Sequence, residues 1–533
     1  MSQPSLEQLA TQQSNFDRRV TFSILTPVFN PPRKAFELCI DSVLNQSYPN
    51  WHWCLVNDQS TDKWVRSRLN RLARKDKRIS VVHRESNGRI SAASNDALAM
   101  ATGEYVALLD HDDELSLDAL AVVNHHLCLY PDTDFLYSDE DKIDDKQTHF
   151  GTFNKPSWSP ERLLCQNYCC HLSVIKTSLV RQVGGFRSEF DGSQDHDLLL
   201  RIAETSPKVV HIPEVLYHWR ATASSTALSL EAKPYALDAA QGAVTEAAVR
   251  RGLGNHVVRT PHGYHRVQRS LEKFPKVSLI VPTNGKKSLV WGIETSLIEH
   301  FIRSNERIAT YPNFEYIVVV DGEAQSAKYD SIRQISPRVN LVDYSKDFNF
   351  SEKCNLGAVK ANGERLIFVN DDIEPISPDW IQTLVAFLED PTVGATGPLL
   401  LFDNGLIQSA GHVNPGPGVF ARNFSVQASV AGGWPLELNR EVSGLTGACL
   451  AVRTETFFEV GGFFEELPLN YNDVDFGFKL QMLGYRLVWT PDAALYHFES
   501  KSRETRVSDI EKSNLDRHWG RFVSAQKTDP FIR

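Results

Sequence analysis

The sequence has no long basic block, and its acidic residues outnumber its basic ones by 66 to 56, giving a net charge of −10. Duplex nucleic acid is bound by neutralising phosphates with Lys and Arg, so this balance excludes it as the main partner. We expect no nucleic-acid partner. An acidic protein that binds a phosphorylated ligand needs a metal ion or local basic groups to offset the repulsion between like charges.

Long apolar runs are also missing. No stretch approaches the ~18–20 apolar residues of a transmembrane helix, and residues 1–20 lack the apolar core of a signal peptide. We therefore expect a cytoplasmic protein with no membrane-spanning segment. Peripheral association with the inner face of the cytoplasmic membrane stays open.

Cysteine is sparse, with eight in 533 residues, which is too few for a disulfide framework and fits the reducing cytosol. The one cluster is Cys165, Cys169 and Cys170, followed by His171. A zinc site needs a second pair of ligands at the right spacing, and none lies nearby. We interpret the cluster as small apolar residues in a buried strand.

What the chain does contain is one set of motifs twice, in the same order. The first copy is TPVFN (26–30), VND (56–58), DHDD (110–113), GGF (184–186), QDHD (194–197) and LYH (216–218). The second copy is VPTN (281–284), VVD (319–321), NDD (370–372), GGF (461–463), NDVD (472–475) and LYH (495–497). A repeat this long indicates a duplicated domain, and the chain is long enough for two cores.

The expected organisation is a polar tail, a first domain, a helical linker, a second domain and a C-terminal tail. Their limits are 1–18, 19–228, 229–275, 276–515 and 516–533. Within each domain, β-branched and apolar runs alternate with amphipathic helical stretches, which predicts an α/β fold with a mostly parallel, doubly wound sheet. The second domain also shows what looks like an insertion at 296–312.

Acidic residues follow two predicted strands of the first domain, where ligands bind in sheets of this type. Asp58 comes after one strand and Asp110–Asp113 after another, so both should lie on one rim. Adjacent carboxylates repel each other, and Mg²⁺ or Mn²⁺ with oxygen ligands would relieve that repulsion. The alternative is a solvated helix N-cap before a helix at 115–123. The reappearance of acids at 370–372 favours the metal.

Other polar residues allow more than one interpretation. Asp58 suits a nucleotide contact, with an Asx turn as the alternative, and Thr26, Pro27 and Phe29 form either a pocket wall or a plain turn. Asp195 and Asp473 each precede a helix, where a carboxylate is stabilised as an anion and serves as a base or as an N-cap. We favour the base. His218 and His497 repeat after each base motif, which favours metal ligands over ordinary core or surface histidines.

The ordered set of motifs resembles the family-2 glycosyltransferases. Local strings are also similar to the two-domain bacterial members of that family, which are associated with O-antigen and surface polysaccharide assembly. The resemblance covers about 20–225 and 276–505, and local strings such as YSDEDK (137–142), TGACL (446–450) and HFESKSR (497–503) carry it further. It implies two tandem GT-A domains, of the Rossmann-like nucleotide-diphospho-sugar transferase type. It also implies a nucleotide-sugar donor, a divalent metal (Mn²⁺ or Mg²⁺), and inversion at the anomeric carbon.

The resemblance also assigns roles to individual residues. The bases would be Asp195 and Asp473, and the metal contacts would be Asp112, His218, Asp372 and His497. Nucleotide-sugar contacts would be Thr26, Pro27, Phe29, Asp58, Asp110, Pro282, Asn284, Asp321 and Asp371. The acceptor would be a growing glycan, in the favoured case linked to a polyprenyl diphosphate. The second copy departs from the pattern at Asn370 and Asn472, where acids are usual.

Two competing hypotheses follow. A nucleotidyltransferase also binds a nucleotide and a metal, but it usually needs a glycine-rich phosphate loop, and 26–33 contains no glycine. The second hypothesis makes one copy, most readily the second, a carbohydrate-binding or scaffolding module without catalysis.

Overall fold

The computed structural model describes residues 19–221, 234–324, 329–414, 422–423, 436–498, 508–525 and 529–532. The chain divides into two compact units, Met1–Val267 and Gln268–Arg533. The expected N-terminal tail at 1–18 and residues 499–503 of the family-like string lie outside the described residues.

The first unit alternates strands and helices. Its strands are β1 (Phe22–Val28), β2 (Trp51–Asn57), β3 (Ile79–His83), β4 (Tyr105–Leu108), β5 (Glu114–Leu115), β6 (Phe135–Ile143), β7 (His149–Phe153), β8 (Ser173–Lys176), β9 (Val209–Arg220), β10 (His256–Arg259) and β11 (His265–Gln268). Its helices are α1 (Arg33–Leu44), α2 (Lys63–Lys75), α3 (Arg89–Met100), α4 (Ala119–Leu129), α5 (Pro160–Cys165), α6 (Thr177–Gln182), α7 (Gln194–Ala203) and α8 (Pro234–Arg250).

The central sheet of this unit has the order β3-β2-β1-β4-β8-β6-β9-β5, with β7 added beside β6. Strand β1 runs parallel to β2 and β4, so the chain leaves all three at the same edge. Both faces are covered by helices, and β1 and β2 are accordingly almost wholly buried apolar runs. Helix α8, in the expected linker, packs Ala243, Val244 and Ala247 into the core of the first unit.

The second unit repeats the scheme. Its strands are β12 (Val277–Thr283), β13 (Lys287–Val290), β14 (Ile293–Ser296), β15 (Phe314–Asp321), β16 (Val339–Tyr344), β17 (Arg365–Val369), β18 (Ile373–Pro375), β19 (Val393–Leu401), β20 (Ile407–Ser409), β21 (His412–Val413), β22 (Arg422–Asn423), β23 (Arg440–Glu441), β24 (Cys449–Arg453) and β25 (Arg486–His497). Its helices are α9 (Leu297–Ile308), α10 (Asp330–Ile335), α11 (Phe350–Lys360), α12 (Trp380–Phe387), α13 (Thr454–Glu459), α14 (Asn472–Met482) and α15 (Asp509–Ala525).

The second sheet has the order β16-β15-β12-β17-β24-β19-β25-β18, which is the path of the first sheet strand for strand. The expected duplication of an α/β domain with a mostly parallel core is therefore confirmed. Within this unit, the expected insertion at 296–312 is wrong. Helix α9 occupies that range and corresponds to α1, and the added piece is the β13–β14 hairpin before it.

Three other sequence expectations differ from the structure. The helix expected from residue 115 begins at Ala119, because Glu114 and Leu115 pair with β9 as the short strand β5. The cysteine cluster lies not on a strand but at the end of α5 and in the loop after it. The expected C-terminal tail begins inside α15, whose Leu515 and Val523 are buried with Val474 and Phe478.

One glycine in each unit lies so close to the backbone of the sheet that a side chain would collide with it. A Cβ on Gly103 would lie 2.6 Å from the Ser23 backbone nitrogen, and one on Gly363 would lie 2.6 Å from the Ser278 backbone nitrogen. Both glycines precede the strand that follows a helix, β4 and β17. Among the described residues, no helix is long and apolar enough to cross a membrane.

Candidate active site

A cavity at the carboxyl edge of the first sheet brings three of the expected site residues together, Pro27, Asp110 and Asp195. Asp110 lies just past the end of β4, after Leu109, and Asp195 lies in the first turn of α7. Both line the cavity, together with Pro27, His171 and Tyr217. The parallel strands end on this edge, which is where doubly wound sheets bind ligands.

The acidic cluster after β4 divides into a structural acid and an available one. Asp113 is buried, and its carboxylate accepts hydrogen bonds from the Tyr217 hydroxyl at 2.6 Å and the Arg220 backbone N–H at 2.8 Å. Asp112 accepts a bond from Arg220 only through its backbone oxygen. Among the described residues, the Asp112 carboxylate has no hydrogen bond or ion pair. Burial, and then the charge of Asp112, raises the pKa of Asp110. A cation here would relieve that repulsion.

Asp195 is only partly buried and lines the cavity. Its carboxylate accepts bonds from the Asn167 side-chain amide and the His196 backbone N–H, both at 2.8 Å. Asp197 differs, because it is fully buried and paired with Arg201 at 2.6 Å and with Arg187. Burial acts to raise the pKa of Asp197, but the bonds from these two arginines lower it overall. Asp197 therefore anchors the helix, and Asp195 faces the cavity.

The expected nucleotide contacts occupy different environments. Asp58 is buried, and its Oδ1 accepts from the Gly88 backbone N–H at 2.8 Å and lies 3.0 Å from Arg84 Nε. Phe29 is 45% exposed, so its ring is available to stack on a base. Thr26 is fully buried, and its Oγ1 accepts from Trp53 Nε1 at 3.0 Å. The Thr26 hydroxyl is therefore engaged within the sheet by the neighbouring strand β2, and its expected nucleotide contact stays a prediction.

His218 lies on β9 and is held by a neighbouring strand. Its Nδ1 is 2.6 Å from Asp141 Oδ1 on β6, and Asp141 Oδ2 is 2.9 Å from His149 Nδ1. The ligand atoms of Asp141, His149 and His218 all lie within 4.8 Å of one another. Asp112, the expected metal partner of His218, does not belong to that group.

Sequence reasoning missed a buried charged network that includes the cavity-lining residue His171. Glu140 Oε2 accepts from both the backbone N–H and Nδ1 of His171, at 2.7 and 3.0 Å, and lies 2.9 Å from the buried Lys155 ammonium. Burial alone would lower the pKa of His171, but the Glu140 charge and hydrogen bond, with Asp113 and Asp110, raise it to about 9. The imidazole is therefore an imidazolium near neutral pH. The sequence feature that could have indicated this network is His171, which the sequence analysis considers only as a zinc ligand.

The second unit does not repeat this network. Tyr217 and Tyr496 each precede the motif histidine of their unit by one residue. Tyr217 pairs with Glu140 on β6, whereas Tyr496 pairs with Leu401 on β19, so Leu401 stands in the place of Glu140. In the antiparallel pairs β4–β8 and β17–β24, Tyr105 faces Lys176 and Arg365 faces Arg453. Lys176 and Arg453 therefore occupy equivalent positions in the two units. His171 precedes Lys176 by as many residues as Ala448 precedes Arg453, so Ala448 is the counterpart of His171. The two units thus differ by a charged pair at this place in the sheet.

The second unit brings its expected metal residues into contact. His497 Nε2 lies 3.2 Å from Asp372 Oδ1 and 3.4 Å from Asn370 Nδ2. Its other nitrogen, Nδ1, lies 2.5 Å from Gln408 Oε1. Asp371 accepts from the Thr283 hydroxyl at 2.5 Å, and burial, followed by the Asp372 charge, raises the pKa of Asp371 to about 7. Two crowded carboxylates beside a histidine suit a divalent cation.

The remaining second-unit residues mirror the first in part. Asp473 accepts from the Gly447 and Val474 backbone N–H groups, both at 2.8 Å. The buried Asp475 instead lies 2.7 Å from Lys479 and accepts from Trp519, as an anchor.

The expected nucleotide contacts of the second unit lie on or just after β12 and β15. Asp321, at the end of β15, lies 2.7 Å from the buried ammonium of Lys353. Pro282 is buried on β12, and the Asn284 side-chain oxygen accepts from the Lys286 backbone N–H at 3.0 Å.

Known proteins share this sequence pattern. The family model described as "Glycosyl transferase family 2" matches residues 23–182 and 278–426. An uncharacterised protein, y4gI, of Sinorhizobium fredii is 39% identical over 98% of this chain and 58% of its own length. The O-antigen biosynthesis protein RfbC of Myxococcus xanthus is 33% identical over 92% of this chain and 38% of its own length. The chain thus spans less than two thirds of both relatives.

Solved structures show a weaker likeness. TarS from S. aureus, crystallised in complex with UDP, matches with a TM-score of 0.33 and 17% identity, over 43% of this chain and 71% of that one. A match this partial carries no functional inference. The two family-model segments fall one in each unit and together cover more than half of the residues. The chain therefore belongs to glycosyl transferase family 2, with one GT-A domain of that family in each of its two units.

Proposed function

We propose that both units transfer sugars from nucleotide-sugar donors to a growing glycan, with inversion at the anomeric carbon, in the synthesis of an O-antigen or related surface polysaccharide. Family membership supports the reaction class. The similarity to RfbC, an O-antigen biosynthesis protein, supports the pathway. The acceptor we propose is a glycan linked to polyprenyl diphosphate, which the protein would meet by peripheral association with the inner face of the cytoplasmic membrane.

The observation that carries the proposal is the cavity shared by Asp110 and Asp195. An acceptor hydroxyl is a poor nucleophile, so transfer needs a base placed beside the sugar carbon. Asp195 takes the hydroxyl proton as that oxygen attacks the anomeric carbon, and the bond to the departing diphosphate breaks on the opposite face. One displacement of this kind inverts the configuration. Asp195 lies in the first turn of α7, where the positive end of the helix dipole attracts a negatively charged group.

The residues also suit a divalent metal, Mn²⁺ or Mg²⁺. Asp112 and His218 would hold it in the first unit, and Asp372 and His497 in the second. The Asp112 carboxylate is without a hydrogen bond or ion pair among the described residues, and the pair Asp372–His497 is already 3.2 Å apart. When bound, the cation neutralises charge that collects on the diphosphate leaving group.

The nucleotide would lie against residues at the ends of the parallel strands. In the first unit, Pro27, Phe29, Asp58 and Asp110 surround this edge. In the second unit, Pro282, Asn284, Asp321 and Asp371 follow the corresponding strands. Asp58 and Asp321 each lie beside a basic group, Arg84 and Lys353, that offsets the repulsion between a carboxylate and a phosphate.

The second unit has an alternative function as a carbohydrate-binding or scaffolding module. Asn370 replaces Asp110 of the metal motif and Asn472 replaces Gln194 before the base. We propose that it is catalytic, because Asp372, Asp473 and His497 are retained and Asp473 is held as Asp195 is, by two N–H donors. Substrate phosphates can complete a metal shell that lacks one carboxylate. The absence of the His171–Glu140 pair supports a different sugar or linkage.

The test compares Asp195→Asn with Asp473→Asn. Each asparagine keeps the size of the side chain but cannot take a proton, so turnover at that site should fall about 10²–10⁴-fold with donor affinity nearly unchanged. Products made on a defined acceptor would be weighed by mass spectrometry, with Asp132→Asn, an exposed acid of the first unit, as the matched control. Two active sites give two different truncated products.

Unchanged product from Asp473→Asn would make the second unit a binding module. If Asp195→Asn keeps more than about a tenth of wild-type turnover, against the loss expected for a general base, Asp195 is a helix cap and the base lies elsewhere.

A further inference from the structure

The two motif histidines share an arrangement that depends on residues outside the LYH motif itself. In each unit, Nδ1 of the histidine on the last long strand is held by a polar side chain from a neighbouring segment. His218 Nδ1 lies 2.6 Å from Asp141 Oδ1, and His497 Nδ1 lies 2.5 Å from Gln408 Oε1. Because both acceptors are oxygens, Nδ1 carries the proton and the lone pair is left on Nε2.

The second unit shows where that lone pair points. His497 Nε2 lies 3.2 Å from Asp372 Oδ1, the carboxylate expected to hold the metal. In the first unit, among the described residues, Nε2 of His218 has no hydrogen-bond partner. A metal-binding histidine needs its ring orientation and tautomer fixed by a partner on the other nitrogen. Asp141 and Gln408 meet that requirement.

The two partners differ in charge. Asp141 is a buried carboxylate, and its second oxygen is itself held by His149 at 2.9 Å. Gln408 is a buried neutral amide on β20. A carboxylate partner raises the basicity of the imidazole and so strengthens its bond to the metal more than an amide does.

We propose that Asp141 and Gln408 are positioning residues for the metal-binding histidines, and that the carboxylate at 141 makes the first unit the tighter metal site. This inference rests on the proposed function, since it takes Asp112 with His218, and Asp372 with His497, as the ligands. A competing arrangement places the ion among Asp141, His149 and His218, whose ligand atoms lie within 4.8 Å of one another. The two arrangements make opposite predictions for His149.

The experiment measures Mn²⁺ binding to the full chain by electron paramagnetic resonance of the free ion, alone and with UDP added. The Asp372→Asn background reports the first site and the Asp112→Asn background reports the second. In the first background, Asp141→Ala should weaken binding about 10–100-fold, and Asp141→Asn less, because an amide oxygen still accepts the Nδ1 proton. His149→Ala should leave the affinity unchanged.

In the second background, Gln408→Glu should tighten Mn²⁺ binding and Gln408→Ala should weaken it. The gain expected from Gln408→Glu keeps the test decisive even if the alanine variants unfold, which thermal melts in EDTA would reveal. Asp132→Asn serves as the control for a lost carboxylate, since Asp132 is an exposed residue paired with Lys208.

The outcomes distinguish failure of the positioning role from failure of the proposed metal dependence. Unchanged Mn²⁺ affinity in folded Asp141→Asn and Asp141→Ala overturns the positioning role. A loss in His149→Ala equal to that in His218→Ala overturns it in favour of the three-residue cluster. If the wild-type chain binds no Mn²⁺ with or without UDP, the proposed metal dependence itself is wrong.

Discussion

The strongest stability prediction concerns His171, whose protonated ring lines the cavity of the first unit and is held by Glu140. We consider His171→Gln, which keeps a hydrogen-bonding side chain of similar reach but removes the titrating group. In the folded protein the pKa of His171 is raised to about 9, and its ordinary value is 6.5. Glu140 keeps its pairing with Lys155 in the variant, so it remains ionised at neutral pH and above.

The sign and size follow from linkage. A histidine with a raised pKa in the folded state contributes stability that is fully present below pH 6.5 and is lost as the pH rises through about 9. At 1.36 kcal/mol for each pKa unit, the contribution is about 3 kcal/mol. For a unit of this size each kcal/mol moves the melting temperature by about 2–4 °C, so the expected effect is about 6–12 °C.

The assay is calorimetric melting of wild type and His171→Gln in EDTA at several pH values from 6 to 10. The melting temperature of the wild type should exceed that of the variant most at pH 6, and the difference should shrink as pH approaches 10. His125→Gln is the matched control: burial lowers the pKa of His125, so its difference from wild type should stay flat above pH 6.5. A difference for His171→Gln that does not change with pH would refute the imidazolium and its pairing with Glu140.

Two further predictions concern the metal and the fold. Excess EDTA should abolish transfer while leaving far-ultraviolet circular dichroism unchanged; transfer that persists would remove the metal from the mechanism. Gly103→Ala and Gly363→Ala should each lower the free energy of unfolding by about 1–3 kcal/mol, because the new Cβ meets backbone at 2.6 Å. Gly477→Ala, whose Cβ would meet its nearest neighbour at 3.4 Å, is the control and should lose little by comparison; equal losses in all three would contradict the steric explanation.

The alternation of strands and helices could be predicted from sequence because both halves repeat it with strong local patterns. Strand β3 (Ile79–His83) and strand β17 (Arg365–Val369), for example, consist largely of β-branched and apolar residues. The error at 296–312 arose because the β13–β14 hairpin, absent from the first unit, delays the first helix of the second. Because the hairpin shifts helix α9 to later residue numbers than α1 has in the first unit, the helix itself resembles an insertion in the sequence.

The site was predictable where a residue follows a strand or begins a helix, as Asp110 and Asp195 do. It was not predictable where long-range pairing decides the environment. Thr26 appears available in sequence, but both faces of β1 are covered, and its hydroxyl bonds to Trp53 on the next strand. The partner of His171, Glu140, lies 31 residues away in sequence and is brought beside it by the sheet.

The contacts between the acidic motif and the last long strand have a consequence for synthesis of the chain. Asp113 and Tyr217 are hydrogen-bonded across 104 residues, and Asn370 and His497 lie together across 127. Contacts that close loops of this length form late in folding, because their entropic cost must be met by structure formed earlier. Each site is therefore incomplete on the ribosome until almost its whole domain has emerged, so a nascent or truncated chain cannot engage donor before its scaffold is finished.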